Sequence, residues 1–252
     1  MFSTLTDFEK KKRMGRKPNN TNMNATIFDE TNLDSIDWRQ KGAVNKVQDQ
    51  GQCGSCWAFS ATAAMEGAHF VATGKLLKLS EQQFVSCDPQ SDGCDGGLEV
   101  YAFDYAKKNP QELETDYPYK SGSGRTGKCT ADKAKEIVTA ESYAVVKPKS
   151  VDQLKAALAK GPTCVSVDAE DNQFMFYKGG ILSSTTCGGK NPDLDHAITA
   201  VGFGSENGKG YFIVRNSWGT SWGESGYIRM SSDVGGNGVC GVLMDSSIPT
   251  SN

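Results

Sequence analysis

The sequence predicts an α+β fold with a helical half followed by a β half. Helical patterns with cap signals dominate residues 55–162. From Cys164 onward the chain breaks into short runs rich in β-branched and aromatic residues, parted by Gly-rich turns. No internal repeat suggests another architecture, and helices first with strands afterwards is the α+β order.

Taken in order, SCWAFSATAAMEGAHFVAT (residues 55–73) is Ala-rich, apolar and free of Pro, which predicts a buried helix. Ser80 with Gln83 reads as a capping box opening a short helix through Val85, and LEVYAFDYAKK (residues 98–108) as a third helix. A second box, Ser150 with Gln153, opens SVDQLKAALAK, which Gly161 and Pro162 end. The strands expected are CVSVDA, HAITAVGF, YFIVRNSW and GYIRM. GFGSENGKG (residues 202–210) superficially resembles a phosphate loop, but YFIVR rather than a helix follows, so it reads as a hairpin turn.

Length and charge narrow the function. A chain of 252 residues suffices for one large domain or two halves sharing a cleft. A net charge of -3 argues against a nucleic-acid or membrane-surface partner, and no apolar run approaches the roughly 20 residues of a spanning helix. Residues 1–32 stand apart. Lys10, Lys11, Lys12, Arg13, Arg16 and Lys17 outweigh Asp7, Glu9, Asp29 and Glu30, giving the leader +2 and leaving the remainder with -5. The basic cluster reads better as a solvated helix face in a removable leader than as a nuclear signal. PNNTNMNAT behind it is a poor core former, and the sequons at Asn19 and Asn24 fall in the same segment. Eight cysteines point to an oxidising compartment. The start lacks the apolar core of a signal peptide, so further residues upstream of Met1 are expected.

Cys53 and Cys56 form a CxxC, which alone is equally a bridged pair, a redox pair or half of a zinc site. The histidines discriminate. Only His69 and His196 exist, and His69 lies 13 residues along the same helix as Cys56. At 1.5 Å per residue that is roughly 20 Å away, out of reach for proton transfer. A Cys–His dyad therefore needs His196, and His69 becomes a surface or packing residue. With no second CxxC and no histidine pair, zinc loses its support. Cys56 at a helix start gains thiolate character, and Asn216, after YFIVR, can orient the imidazole while Trp218 shields that bond from water.

QGQCGSCWAFS, DHAITAVGFG and VRNSWGTSWGESGYIRM, in that order, resemble the papain and cathepsin L family of cysteine proteases, with further matches at SIDWRQKGAV, GCDGG and GVCGV. The resemblance runs from about Leu33 to the C-terminus. It implies two subdomains, a helical one carrying Cys56 and a β-barrel-like one carrying His196, with the active-site cleft between them. It implies cysteine endopeptidase activity with Cys56 as nucleophile, His196 as proton-transfer partner and Asn216 as orienter. Gln50 and the Cys56 N–H become the oxyanion donors, and no metal or cofactor takes part. Gly96 and Gly97 are implied to pair with substrate backbone. Leu98, Ser166, Leu194 and Ala197 wall a side-chain pocket that Asp245 ends, which suits arginine as well as apolar residues. The implied disulfides are Cys53–Cys94, Cys87–Cys129 and Cys187–Cys240, leaving Cys164 free. Residues 1–32 resemble the C-terminal part of an inhibitory propeptide lying backwards through the cleft, and residues 33–252 the mature peptidase domain. Protein or peptide substrates, the protein's own propeptide and cystatin-type inhibitors are the implied partners, in a lysosome-like or secreted setting. A peptide ligase using the same triad is the alternative. The paired-histidine loop of related exopeptidases has no histidines left to build it.

Overall fold

The computed structural model describes residues 5–21 and 23–252; Met1–Thr4 and Asn22 of the leader lie outside that description. The leader opens with α1 (Asp7–Lys11), where a reciprocal box closes the first turn: Thr6 Oγ1 accepts from the Glu9 N–H and the Glu9 carboxylate from the Thr6 N–H. A short strand β1 (Ile36–Asp37) follows the leader. The Ala-rich run then forms α2 (Cys56–Thr73), buried all round from Cys56 to Ala68 and stopped by Gly74 in the left-handed conformation. Next come α3 (Glu81–Cys87) and α4 (Glu99–Ala106). Beyond them lie β2 (Ala140–Val145), α5 (Val151–Leu158), β3 (Thr163–Val167), α6 (Asn172–Met175) and β4 (Ile181–Leu182). The chain closes with β5 (His196–Glu206), β6 (Lys209–Arg215), β7 (Tyr227–Ser231) and β8 (Ser246–Ser251).

Both predicted capping boxes form by half. Ser80 and Ser150 accept from the N–H groups of Gln83 and Gln153, but neither glutamine side chain returns to its cap. Gln83 bridges to Pro110 and Glu112 instead, and Gln153 clasps the main chain of Phe28.

The strands form one sheet in the order β2-β8-β3-β5-β6-β7-β4, with β1 pairing alongside β5. Asn207 and Gly208, both at positive φ, make the tight turn between β5 and β6, as the hairpin reading expects. β8 is a strand the sequence concealed, because SSIPTS is Ser-rich and carries Pro249. That proline lies beyond the β3 register, which ends at Ser247, so its missing N–H breaks no ladder there.

Two cores result. One fills the β half around Phe174, Phe203, Phe212, Trp218 and Val165. The other packs α2, α3 and α4 through Trp57, Met65, Phe84 and Phe103, and also takes in Cys164 and Ala197 from the sheet. The bridges are Cys53–Cys94, Cys87–Cys129 and Cys187–Cys240, with Cys56 and Cys164 free and buried. His69, near the exposed end of α2, hydrogen-bonds the Asn252 carbonyl and stays clear of Cys56.

Candidate active site

Cys56 is the first residue of α2. Ser55 precedes it in the cap position but sends its hydroxyl to Tyr119 (2.8 Å) instead of back to the helix, so no side chain caps the start of α2. The backbone amides of Ala197 and Gly15 lie within hydrogen-bond range of the sulfur. His196 begins β5, and its Nε2 meets Asn216 Oδ1 at 2.8 Å. Carbonyl oxygens only accept, so the proton of the neutral imidazole sits on Nε2 and Nδ1 is bare. Nδ1 is buried and has no side-chain partner; only the Arg13 main chain of the leader approaches the ring on that side. The same Oδ1 accepts from the Ser217 N–H (2.7 Å), and the Ser217 hydroxyl donates to Gln50 Oε1 (2.6 Å). That bond turns the Gln50 amide so that Nε2 points outward, to the carbonyls of Cys53 (2.8 Å) and Arg13 (2.9 Å). Trp218 stacks on the imidazole, with ring centroids 4.5 Å apart, and Phe174 seals its edge.

The leader occupies the cleft in front of these groups. It runs parallel to Gly97: the Gly97 N–H donates to the Gly15 carbonyl and the Lys17 N–H to the Gly97 carbonyl. A side chain would fit neither at Gly15 of the leader nor at Gly97 of the domain. A Cβ on Gly15 would sit 1.9 Å from the Gly54 oxygen, and one on Gly97 would meet the Trp57 ring at 2.6 Å. Gly96 lies at φ +111° with the Gly15 oxygen close above it. Arg16 points down into the pocket: its guanidinium pairs with Asp245 and donates to the Leu194 carbonyl (3.3 Å). Asn19 adds a second donor to Asp245 at 2.9 Å. Leu98, Ser166 and Ala197 are buried and Leu194 half-buried.

Burial under the leader shifts both members of the dyad toward neutrality. Desolvation pushes the Cys56 thiol up to about 12, against the two backbone amides. Desolvation likewise pulls His196 down to about 4, although its bond to Asn216 supports the charged ring. A thiol beside a neutral imidazole is not a nucleophile, so this arrangement holds the reactive groups assembled but uncharged.

Two side chains of this site escaped the sequence reading. Arg16 looked like one more charge of a solvated helix face, but α1 ends at Lys11 and the chain after it is extended. Glu99, immediately after Leu98, is buried at the first position of α4. An acidic residue at a helix start ordinarily answers the helix dipole at the surface, so nothing local marks it as a cleft residue.

Comparison with known proteins is consistent across methods. Residues 33–250 match the model of a family described as papain family cysteine protease. Cysteine proteinase COT44 of Brassica napus is 47% identical over 240 residues, covering 92% of this chain and 71% of that one. The bromelain protease of Ananas comosus, solved with an inhibitor, aligns at a TM-score of 0.81 and 41% identity, covering 86% of this chain and 99% of its own. Digestive procathepsin L 3 of the Tenebrio molitor larval midgut aligns at a TM-score of 0.86 and 36% identity, covering 97% and 78%. The chain spans between 46% and 71% of the length of the curated relatives it matches.

Proposed function

The chain belongs to the papain family of cysteine proteases, and from that premise we infer that it is a cysteine endopeptidase made as a zymogen, with residues 1–32 as the C-terminal part of its propeptide. With the cleft open, the Cys56 proton passes to Nδ1 of His196 and the thiolate attacks the substrate carbonyl carbon. The oxygen of the tetrahedral intermediate is met by the Gln50 amide and the Cys56 N–H. His196 returns the proton to the leaving amine as the C–N bond breaks, leaving a thioester on Cys56. Water then gives a proton to His196, attacks the thioester carbonyl and releases the acid, and the thiolate is restored. Protein groups and water account for every proton and electron pair, so no cofactor enters.

The observation that carries this reading is the chain of hydrogen bonds from Gln50 through Ser217 and Asn216 to His196, which leaves Nδ1 as the bare nitrogen. Gly96 and Gly97 are read as the backbone partners of an extended substrate. Leu98, Ser166, Leu194 and Ala197 wall the pocket for the side chain two positions before the scissile carbonyl, with Asp245 accepting a cationic head there. Support for the propeptide comes from the reach of the proform likeness, 97% of the chain against 86% for bromelain. Among the described residues no helix is long and apolar enough to cross a membrane, and three disulfides suit an acidic lytic or extracellular setting. Cystatin-type inhibitors would compete for the same cleft once the leader has gone.

The test is to activate the protein, alkylate it with iodoacetamide and map the labelled peptide, alongside Cys56→Ala. Label on Cys56 and loss of hydrolysis in the variant are expected. Label confined to Cys164, or appreciable hydrolysis by Cys56→Ala, overturns the assignment.

A further inference from the structure

The pocket that receives Arg16 contains a second carboxylate with no cation of its own. Glu99 is 5% exposed. The Ser166 hydroxyl and its own backbone N–H donate to it, Arg16 lies close enough to favour its charge, and Asp245 close enough to oppose it. Among the described residues, however, no Lys or Arg reaches Glu99 at ion-pair distance, and the Arg16 guanidinium pairs with Asp245 instead. Arg16 Nε is buried with no acceptor at all. One pocket thus holds a buried N–H lacking an acceptor beside a buried carboxylate lacking a cation, each of which is costly.

Arg16 enters from a strand parallel to Gly97, with Nη2 on Asp245 and Nε without an acceptor.

Resting on the reading of this pocket given under Proposed function, we propose that Glu99 is a second specificity-determining carboxylate, making the enzyme select peptides with arginine or lysine two residues before the scissile carbonyl more sharply than Asp245 alone allows. A guanidinium has five donors in a planar fork and can satisfy two carboxylates at once. A leucine entering the same pocket would leave Glu99 buried without charge compensation. The charged groups facing Glu99 are Arg16 from the leader and Asp245 from the segment before β8. Its other titratable neighbours, Cys56 on α2 and Cys164 on β3, are neutral thiols pushed up by burial. Burial and Asp245 together hold Glu99 up at about 7, with Arg16 opposing them. This holds with the leader docked; once it has gone, selection for a cation is expected to strengthen as pH rises and Glu99 ionises.

The experiment uses the full chain after leader removal, as parent, Glu99→Gln and Asp245→Asn, with two peptides differing only in Arg or Leu at that position. Glu99→Gln is expected to lower the Arg-to-Leu ratio of kcat/KM about tenfold, the scale of one charge-assisted hydrogen bond. An unchanged ratio in Glu99→Gln with a fall in Asp245→Asn overturns the proposal and makes Glu99 structural. An unchanged ratio in both variants sinks the pocket reading beneath it. The parent's pH profile is a readout independent of variant folding: the ratio should climb as pH rises and Glu99 ionises, and a ratio flat from pH 4 to 8 also overturns the proposal.

Discussion

Asn216 illustrates how much chemistry one acceptor atom can set. Its Oδ1 takes the Nε2 proton of His196 and the Ser217 N–H together, fixing the tautomer in which Nδ1 carries the free lone pair. Asn216→Ala removes that constraint and admits the other tautomer, so kcat is expected to fall about a hundredfold, with KM little changed. Steady-state kinetics of the activated enzyme would check it, and a variant within twofold of the parent would show that Trp218 stacking alone orients the ring. The order Cys56, His196, Asn216 was readable because three residue types at family spacing carry the information locally. The aim of Asp245 was not, because it depends on what sits above it: Arg16 and Asn19, 229 and 226 positions away, both donate to it.

Among the elements, the caps are where local signals and tertiary demand diverge. Ser80 and Ser150 sit where helix-start rules put them, since a hydroxyl bonding an N–H three residues on needs nothing outside its own turn. Their glutamine partners were diverted because buried main chain elsewhere had no other partner. Gln153 donates to the Phe28 carbonyl at 2.9 Å and accepts from its N–H at 2.7 Å, while Thr26 bridges to the β2 edge at Val146. These contacts clamp the leader just before Asp29, and the stretch from Asp29 to Ser35 is mostly exposed. Cleavage is therefore expected after Phe28 and before about Leu33. Gln153→Ala should free Phe28 and broaden the cleavage sites toward Asn24 without altering mature activity. N-terminal sequencing of the processed protein reads the outcome, and identical termini in parent and variant would remove the clamp from the account.

Across the whole molecule, the leader and the domain meet as opposite charges placed in register. Arg13 pairs with Asp49, Arg16 with Asp245, Lys17 with Asp92 and, more loosely, Lys11 with Glu170. The bulk figures of +2 and -5 anticipated attraction but not these partners. Acid should loosen the leader. Docking holds His196 at about 4 against its ordinary 6.5, so the docked form binds that proton less readily. Its advantage is complete above about pH 6.5 and declines as pH falls toward about 4. Processing and alkylation of Cys56 should both accelerate between pH 7 and 5, and Arg16→Ala should raise both rates at pH 7. Rates independent of pH over that interval would refute the linkage. Added salt should matter less than acid, because screening reaches the exposed Lys17–Asp92 and Lys11–Glu170 pairs but not the buried Arg16.

By itself the sequence determined helices α2 to α5, strands β3, β5, β6 and β7, the buried character of α2, the hairpin at Asn207-Gly208 and the disulfide partners once the family pattern was seen, and it named Cys56, His196 and Asn216 as a candidate triad. All of these rest on periodicity, cap and turn chemistry, or residue spacing, which act over a few residues or repeat across a family. Tertiary structure alone decided that Pro249 lies in a strand, that Gln153 holds the leader, that Arg16 fills the pocket and that Glu99 shares it with Asp245. Burial is the physical reason. The environment of Glu99 is made by α4, β3, the approach to β8 and the leader together, and a carboxylate changes from a surface charge into a pocket group only when those four segments exclude water around it.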